Sequence, residues 1–143
     1  MPDIHEEHMN DHFTKFHIGG LPFAAVIHRF TAADGPEAEF HDHPFAFTST
    51  ILRGGYIEEV SFRNPFEPEQ WLQQRLTRPP GETFRNEAGT IHRITRLLED
   101  ECWTLILPEE WERKPGFYRF EDNQVLHRFW DEHEFQPFDK DRK

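Results

Sequence analysis

Six short runs of β-type residues, each closed by turn-forming residues, restrict this chain more than any other feature. They are AAVIHRF (24–30), FTSTILR (47–53), YIEEVSF (56–62), WLQQRLT (71–77), TIHRITRL (90–97) and CWTLILP (102–108). Between them stand ADGPE, RGG, NPFEP, RPPGE and NEAG, whose Gly, Pro, Asn and Asp residues break strands and make turns. Short strands with no strong helical period between them point to an all-β sandwich or barrel. Because only 36% of the residues are apolar while 15 are Phe and four are Trp, a few large rings must fill the interior. The 143 residues suit a single domain. It is expected to comprise an N-terminal extension over 1–20, a barrel over 21–110 and a closing segment over 111–143.

Charge and cysteine usage narrow the setting. Acidic residues outnumber basic ones 27 to 16, and the net charge of −11 would repel a phosphate backbone, so nucleic acid is not an expected partner. No apolar run is long enough to span a bilayer, and the start MPDIHEEHMNDHF is acidic where a secretory signal would be basic and then apolar. Cys102 has no partner for a disulfide, which is consistent with a reducing cytoplasm. Near the N-terminus, His5, His8 and His12 are spaced for one side of a helix, although a solvated, loosely ordered terminal segment is the simpler expectation. In VLHRFWDEH, Val125, Leu126, Phe129 and Trp130 stand at helix-like intervals, and a short closing helix is expected there.

The chemistry is concentrated in EFHDHPF. On an extended strand His41 and His43 share a face and Asp42 points the other way. Pro44 reinforces this by pushing His43 out of the helical region. A third histidine, His92, follows the Gly89 turn near the start of another strand, so three imidazoles from separated strands could converge inside a barrel.

These residues resemble the two motifs of the cupin superfamily. Gly35, His41, His43 and Gly55 fall in the register of the first motif, with Thr48 where a Glu is expected. Gly81, Gly89 and His92 fit the second, with Glu87 for its Pro and Arg96 for its Asn. The match runs from Gly35 to Arg96 and is similar to that of a group of small bacterial cupins carrying HDHP. The resemblance implies an RmlC-like jelly roll, a double-stranded β-helix, with a metal held by His41, His43 and His92. It also implies that position 48 lies within reach of that metal.

A threonine is a poor ligand for a divalent ion, so the expected site has three imidazoles and open coordination positions. With no carboxylate ligand the centre keeps its full positive charge, which favours a small anionic ligand. Thiol dioxygenases also have a three-histidine set without the Glu, and the resemblance to them is partial. Their Ser-His-Tyr relay has no counterpart, since Tyr118 and His127 do not stand at matching intervals. Iron is the expected metal, with zinc, manganese or nickel as alternatives. Arg96, four residues after His92, could hold a substrate carboxylate if the strand is unbroken, or point outward at a strand end. Of Glu58 and Glu59 one must face inward, as a further ligand or a base, and Tyr56 could line the cavity. Arg53 and Arg93 are read as surface residues, Phe45, Phe47, Phe62 and Phe84 as packing, and Cys102 as an inert buried thiol. The functional expectation is a metal-dependent dioxygenase-like oxidoreductase. Its rivals are a metal-assisted isomerase or hydrolase and a non-catalytic ligand-binding or sensor module. A homodimer is expected from exposed strand edges.

Overall fold

A computed structural model describes residues 3–35, 38–121 and 124–142. The chain forms β1 (Ile4–Asn10), β2 (Phe13–Ile18), β3 (Ala25–Phe30), β4 (Phe40–His41), β5 (Phe47–Arg53), β6 (Tyr56–Arg63) and β7 (Trp71–Arg78). It continues with β8 (Thr83–Asn86), β9 (Ile91–Leu97), β10 (Cys102–Pro108), β11 (Gly116–Glu121), β12 (Gln124–Phe129) and β13 (Gln136–Pro137). One sheet has the order β1-β2-β3-β10-β5-β8 and the other β13-β12-β11-β4-β9-β6-β7. All pairings are antiparallel, and the crossing connections make a jelly roll. The six runs read from the sequence are β3, β5, β6, β7, β9 and β10, and their boundaries agree within a residue.

Alternation explains how the sheets face each other. On β5 Phe47, Ser49 and Ile51 are buried, and on β10 so are Cys102, Thr104 and Ile106. Residues two apart thus present one face of this sheet to the interior. Ile51, Tyr56, Ile94 and Cys102 form one core cluster, and Phe30, Phe84 and Leu97 pack against it. Truncating Ile51 to alanine would cost about 2 to 5 kcal/mol, the usual range for a fully buried aliphatic chain. A second cluster of Phe40, Ile91 and Tyr118 lies on the other side of β9, covered by Trp71, Phe120, Val125 and Phe138. The turn between β5 and β6 requires glycine, because Gly54 and Gly55 have φ of +84° and +95°. A Cβ on Gly54 would also lie 2.0 Å from the Glu101 carbonyl oxygen. This turn sets the register that brings Tyr56 and Glu58 to the interior.

The expected closing helix and the expected loosely ordered N-terminus are both corrected. Residues 124–129 are strand β12, which pairs with β11 residue for residue from Gly116↔Phe129 to Glu121↔Gln124. The ladder to β11 outweighs the weak helical spacing in VLHRFWDEH, whose aromatic and β-branched residues suit a strand equally well. His5 and His8 lie on β1, a fully exposed strand paired with β2, rather than on a helix or a loose terminus.

Candidate metal centre

The HDH segment is fixed at both faces. β4 is only two residues long, but His41 pairs with Phe117 of β11 on one side and His92 of β9 on the other. Beyond the strand, Asp42 N–H donates to Gly116 O at 3.2 Å and His43 N–H to Ala88 O at 3.0 Å. Asp42 points away from the histidines, as the alternation requires. Its carboxylate accepts from Tyr118 Oη–H at 2.6 Å, Gly116 N–H at 2.7 Å and Arg113 Nη1 at 2.7 Å. Burial pushes the Asp42 carboxyl up, against the opposing effects of Tyr118, Arg113 and Gly116. Nothing local in the sequence marks Arg113, Gly116 and Tyr118 as anchors, since they lie more than seventy residues further on.

On the opposite face the imidazoles of His41, His43 and His92 converge. One ring nitrogen from each lies within 4.8 Å of the others. Ring centroids are 4.7 Å apart for His41 and His92, 5.0 Å for His43 and His92 and 5.2 Å for His41 and His43. Ligand nitrogens around one ion stand ~3 to 3.5 Å apart, and the soft χ2 torsion of histidine lets rings rotate toward that spacing. His43 Nδ1 and His92 Nε2 are buried without a hydrogen-bond partner among the described residues. Buried nitrogens are rarely left unpaired, and a bound cation would satisfy these. Burial, and secondarily the neighbouring His92, pushes His41 down to about 3; burial also holds His43 well below its ordinary value. These two rings are therefore neutral at physiological pH, as metal ligation requires.

Behind His92 lies Glu58, fully buried, with Oε1 3.3 Å from His92 Nδ1. Its Oε2 accepts from Arg78 Nε at 3.1 Å, while Arg78 Nη1 donates to Glu82 at 2.6 Å. Arg78 also lies 3.7 Å from the Phe84 ring centroid. Burial works to raise the Glu58 carboxyl, but the His92 hydrogen bond and the His92 and Arg78 charges outweigh it and hold the group below its ordinary value. An ionised Glu58 accepts the Nδ1 proton of His92 and leaves Nε2 with its lone pair toward the cluster. Glu58 is thus the inward member of the adjacent pair and stands behind a cluster histidine, engaged with Arg78. Glu59 lies on the other face and pairs with Arg93 at 3.2 Å. Arg93, read as a surface residue, is partly covered, with its guanidinium 4.3 Å from the Phe40 ring centroid. Tyr56 belongs to the apolar cluster, where burial and then the Glu58 charge raise its phenol well above the usual value.

Thr48 and Arg96 are not brought to the cluster. Thr48 stands between buried Phe47 and buried Ser49 and pairs with Arg85, on the face where Thr50 bonds Thr83 in solvent. The inward position next to the histidines belongs to Phe47, whose ring meets His43 edge-on at 4.8 Å. A one-residue difference in motif spacing therefore puts a phenyl ring, in place of a hydroxyl, beside the site. Arg96 is exposed. Opposite β6, Ile57 pairs with Arg96 and Glu58 with Ile94, so Thr95 is the extra residue of a bulge that turns Arg96 outward.

No protein-family model and no curated protein sequence matches the chain. Solved structures do. Hydroxypropylphosphonic acid epoxidase from S. wedmorenis is 10% identical with a TM-score of 0.54, covering 75% of this chain and 56% of that one. HppE in its iron(II) form gives 10% identity and a TM-score of 0.52, over 76% of this chain and 56% of that one. The formate complex of Lactobacillus farciminis oxalate decarboxylase is 18% identical with a TM-score of 0.53, over 78% of this chain and 32% of that one. The chain spans about half, or less, of the length of these proteins. The likeness establishes the fold, a jelly roll of the cupin type, on which this chain carries a three-histidine cluster.

Proposed function

Taking the cupin fold as scaffold, we propose that the chain holds one divalent metal ion, iron in our reading, through His41, His43 and His92. The reaction would be a dioxygenase-type oxidation of a small anionic metabolite. The observation that carries the reading is the convergence of one ring nitrogen from each of three histidines within 4.8 Å, in a cluster where His43 and His92 each keep a buried nitrogen without a partner among the described residues. When bound, such a metal supplies redox chemistry and an electrostatic anchor at positions the protein leaves open. The chain's own residues hold that centre. Glu58 orients His92, Asp42 ties the HDH segment to β11, and Phe47 closes one side with an apolar wall. With three neutral ligands a divalent ion would keep its full charge, which suits an anion. The names of two similar structures, an epoxidase of a phosphonic acid and an oxalate decarboxylase with formate, agree with small anions in this fold.

Among the described residues, Glu58 is committed to His92 and Arg78, and Tyr56 is held protonated. A reaction that draws its protons from a side-chain base, such as an isomerisation or hydrolysis, fits this arrangement less well than oxidation does. The same observation favours a second reading, a non-catalytic module that only recognises the anion. The two separate in one experiment. Protein purified without chelator or histidine tag is analysed for metal, loaded anaerobically with iron(II), and mixed with a panel of small carboxylates and thiols while oxygen is monitored. Stoichiometric metal with ligand-dependent oxygen uptake is expected. Metal and ligand binding without uptake would leave the recognition module, and absence of metal would remove both.

A further inference from the structure

A polar row crosses the sheet that faces the three histidines. Antiparallel pairing aligns Lys15 of β2 with His28 of β3, and His28 with Thr104 of β10. Directly paired residues present their side chains to the same face of a sheet. That face is the interior, because Thr104 alternates with buried Cys102 and Ile106, and Cys102 packs in the cluster with Ile51 and Phe30. Thr104 is 2% exposed, and its Oγ1 is buried without a hydrogen-bond partner among the described residues. The His28 ring lies edge-on to Phe13 at 4.9 Å, and burial pushes its pKa down to about 3, so it is a neutral N–H donor at physiological pH. Lys15 makes no ion pair among the described residues and lies 5.7 Å from the Phe13 ring centroid. Glu7, its partner across β1, gives its carboxylate to His17 at 2.9 Å. The same interior face reaches the histidines, since Phe47 of β5, the strand paired with β10, meets the His43 ring edge-on at 4.8 Å.

The buried Thr104 hydroxyl is costly to leave without a partner, and beside it in the row stand a neutral imidazole and, in a chain of net charge −11, an ammonium with no ion pair among the described residues. We propose that Lys15, His28 and Thr104 form a second binding wall, which takes the distal acidic group of a ligand whose other acidic group lies at the three-histidine face. The ligand class is then a small dianion of the dicarboxylate type. Lys15 supplies the charge, and His28 and Thr104 donate hydrogen bonds that fix its orientation. This deepens the metal reading above and rests on it.

The test uses the full chain loaded with cobalt(II), whose visible absorption reports anion binding, titrated with acetate and with malonate, succinate and glutarate. The wild type should bind one cobalt, and one of the dicarboxylates should bind at least tenfold tighter than acetate. Lys15→Met should remove that preference while changing acetate affinity less than twofold, and Lys15→Arg should keep it. Thr104→Val should weaken the dicarboxylate severalfold at unchanged cobalt stoichiometry. Normal cobalt uptake with no dicarboxylate preference in the wild type would overturn the second wall alone. An equal loss of acetate and dicarboxylate in Lys15→Met, or no loss of either, would do the same. A wild type that takes up no cobalt would overturn the three-histidine reading and the wall together.

Discussion

Glu58 Oε1 and His92 Nδ1 meet at 3.3 Å between two buried side chains on neighbouring strands, β6 and β9. The contact orients the ring, fixes its tautomer and, together with Arg78 on the far oxygen, keeps the carboxylate ionised. Glu58→Gln should therefore lower metal affinity about 10- to 100-fold without abolishing it, the usual effect of losing a carboxylate behind a histidine ligand. Competition against a chelating dye measures this, and an unchanged affinity would mean that Glu58 serves folding only.

His92→Ala should remove most metal binding and leave a folded β-protein, because two imidazoles chelate far more weakly than three while the strands are held by apolar packing. Metal analysis and far-UV circular dichroism on the same sample give both readouts. Equal metal content in mutant and wild type would exclude His92 as a ligand.

A carboxylate added at position 48 should do nothing at the centre, since Thr48 faces away from the histidines. At position 47 it should act strongly. Phe47→Glu would set an acid beside His43, raising metal affinity and weakening anion binding, at a folding cost of about 3 kcal/mol or more for the lost ring. Tighter metal binding by Thr48→Glu, in side-by-side titration of the two apo variants, would contradict the register of β5.

Acid should destabilise the metal-free protein partly through His127. This ring is 4% exposed among Tyr118, Phe129 and Phe138, and burial, followed by the Arg142 charge, lowers its pKa to about 4. The unfolded chain takes up this proton near pH 6.5 and the folded one only near 4. The stabilisation is thus complete above about 6.5, declines as pH falls through that window, and levels off near 4. His127→Phe should flatten the slope of unfolding free energy between pH 6.5 and 4 by up to about 1.4 kcal/mol per unit. Urea melts across that range would show an undiminished slope if other groups account for it.

Much of the barrel was legible because strand period and turn chemistry are local. The alternation in FTSTILR and CWTLILP, and Gly54-Gly55 between two strands, mark elements that later pair. The tail is ambiguous in sequence because VLHRFWDEH carries both a weak helical spacing and strand-forming residues, and the partner that decides between them is β11. Strand β1 is not legible, because a polar, fully exposed strand carries no hydrophobic signal.

At the centre, the sequence by itself determined that His41 and His43 share a face, that Asp42 turns away and that a third histidine stands at motif spacing. These follow from the two-residue period of an extended chain and from the proline after His43. Only the tertiary structure decided the rest. It set Phe47 in the inward position in place of Thr48, turned Arg96 out through the bulge at Thr95, and placed Glu58 behind His92. It also lined up Lys15, His28 and Thr104. Each of these depends on register, and one residue of slip or bulge moves a side chain from one face to the other. Register is set by pairing between residues as far apart as Val26 and Ile106, which no local pattern encodes.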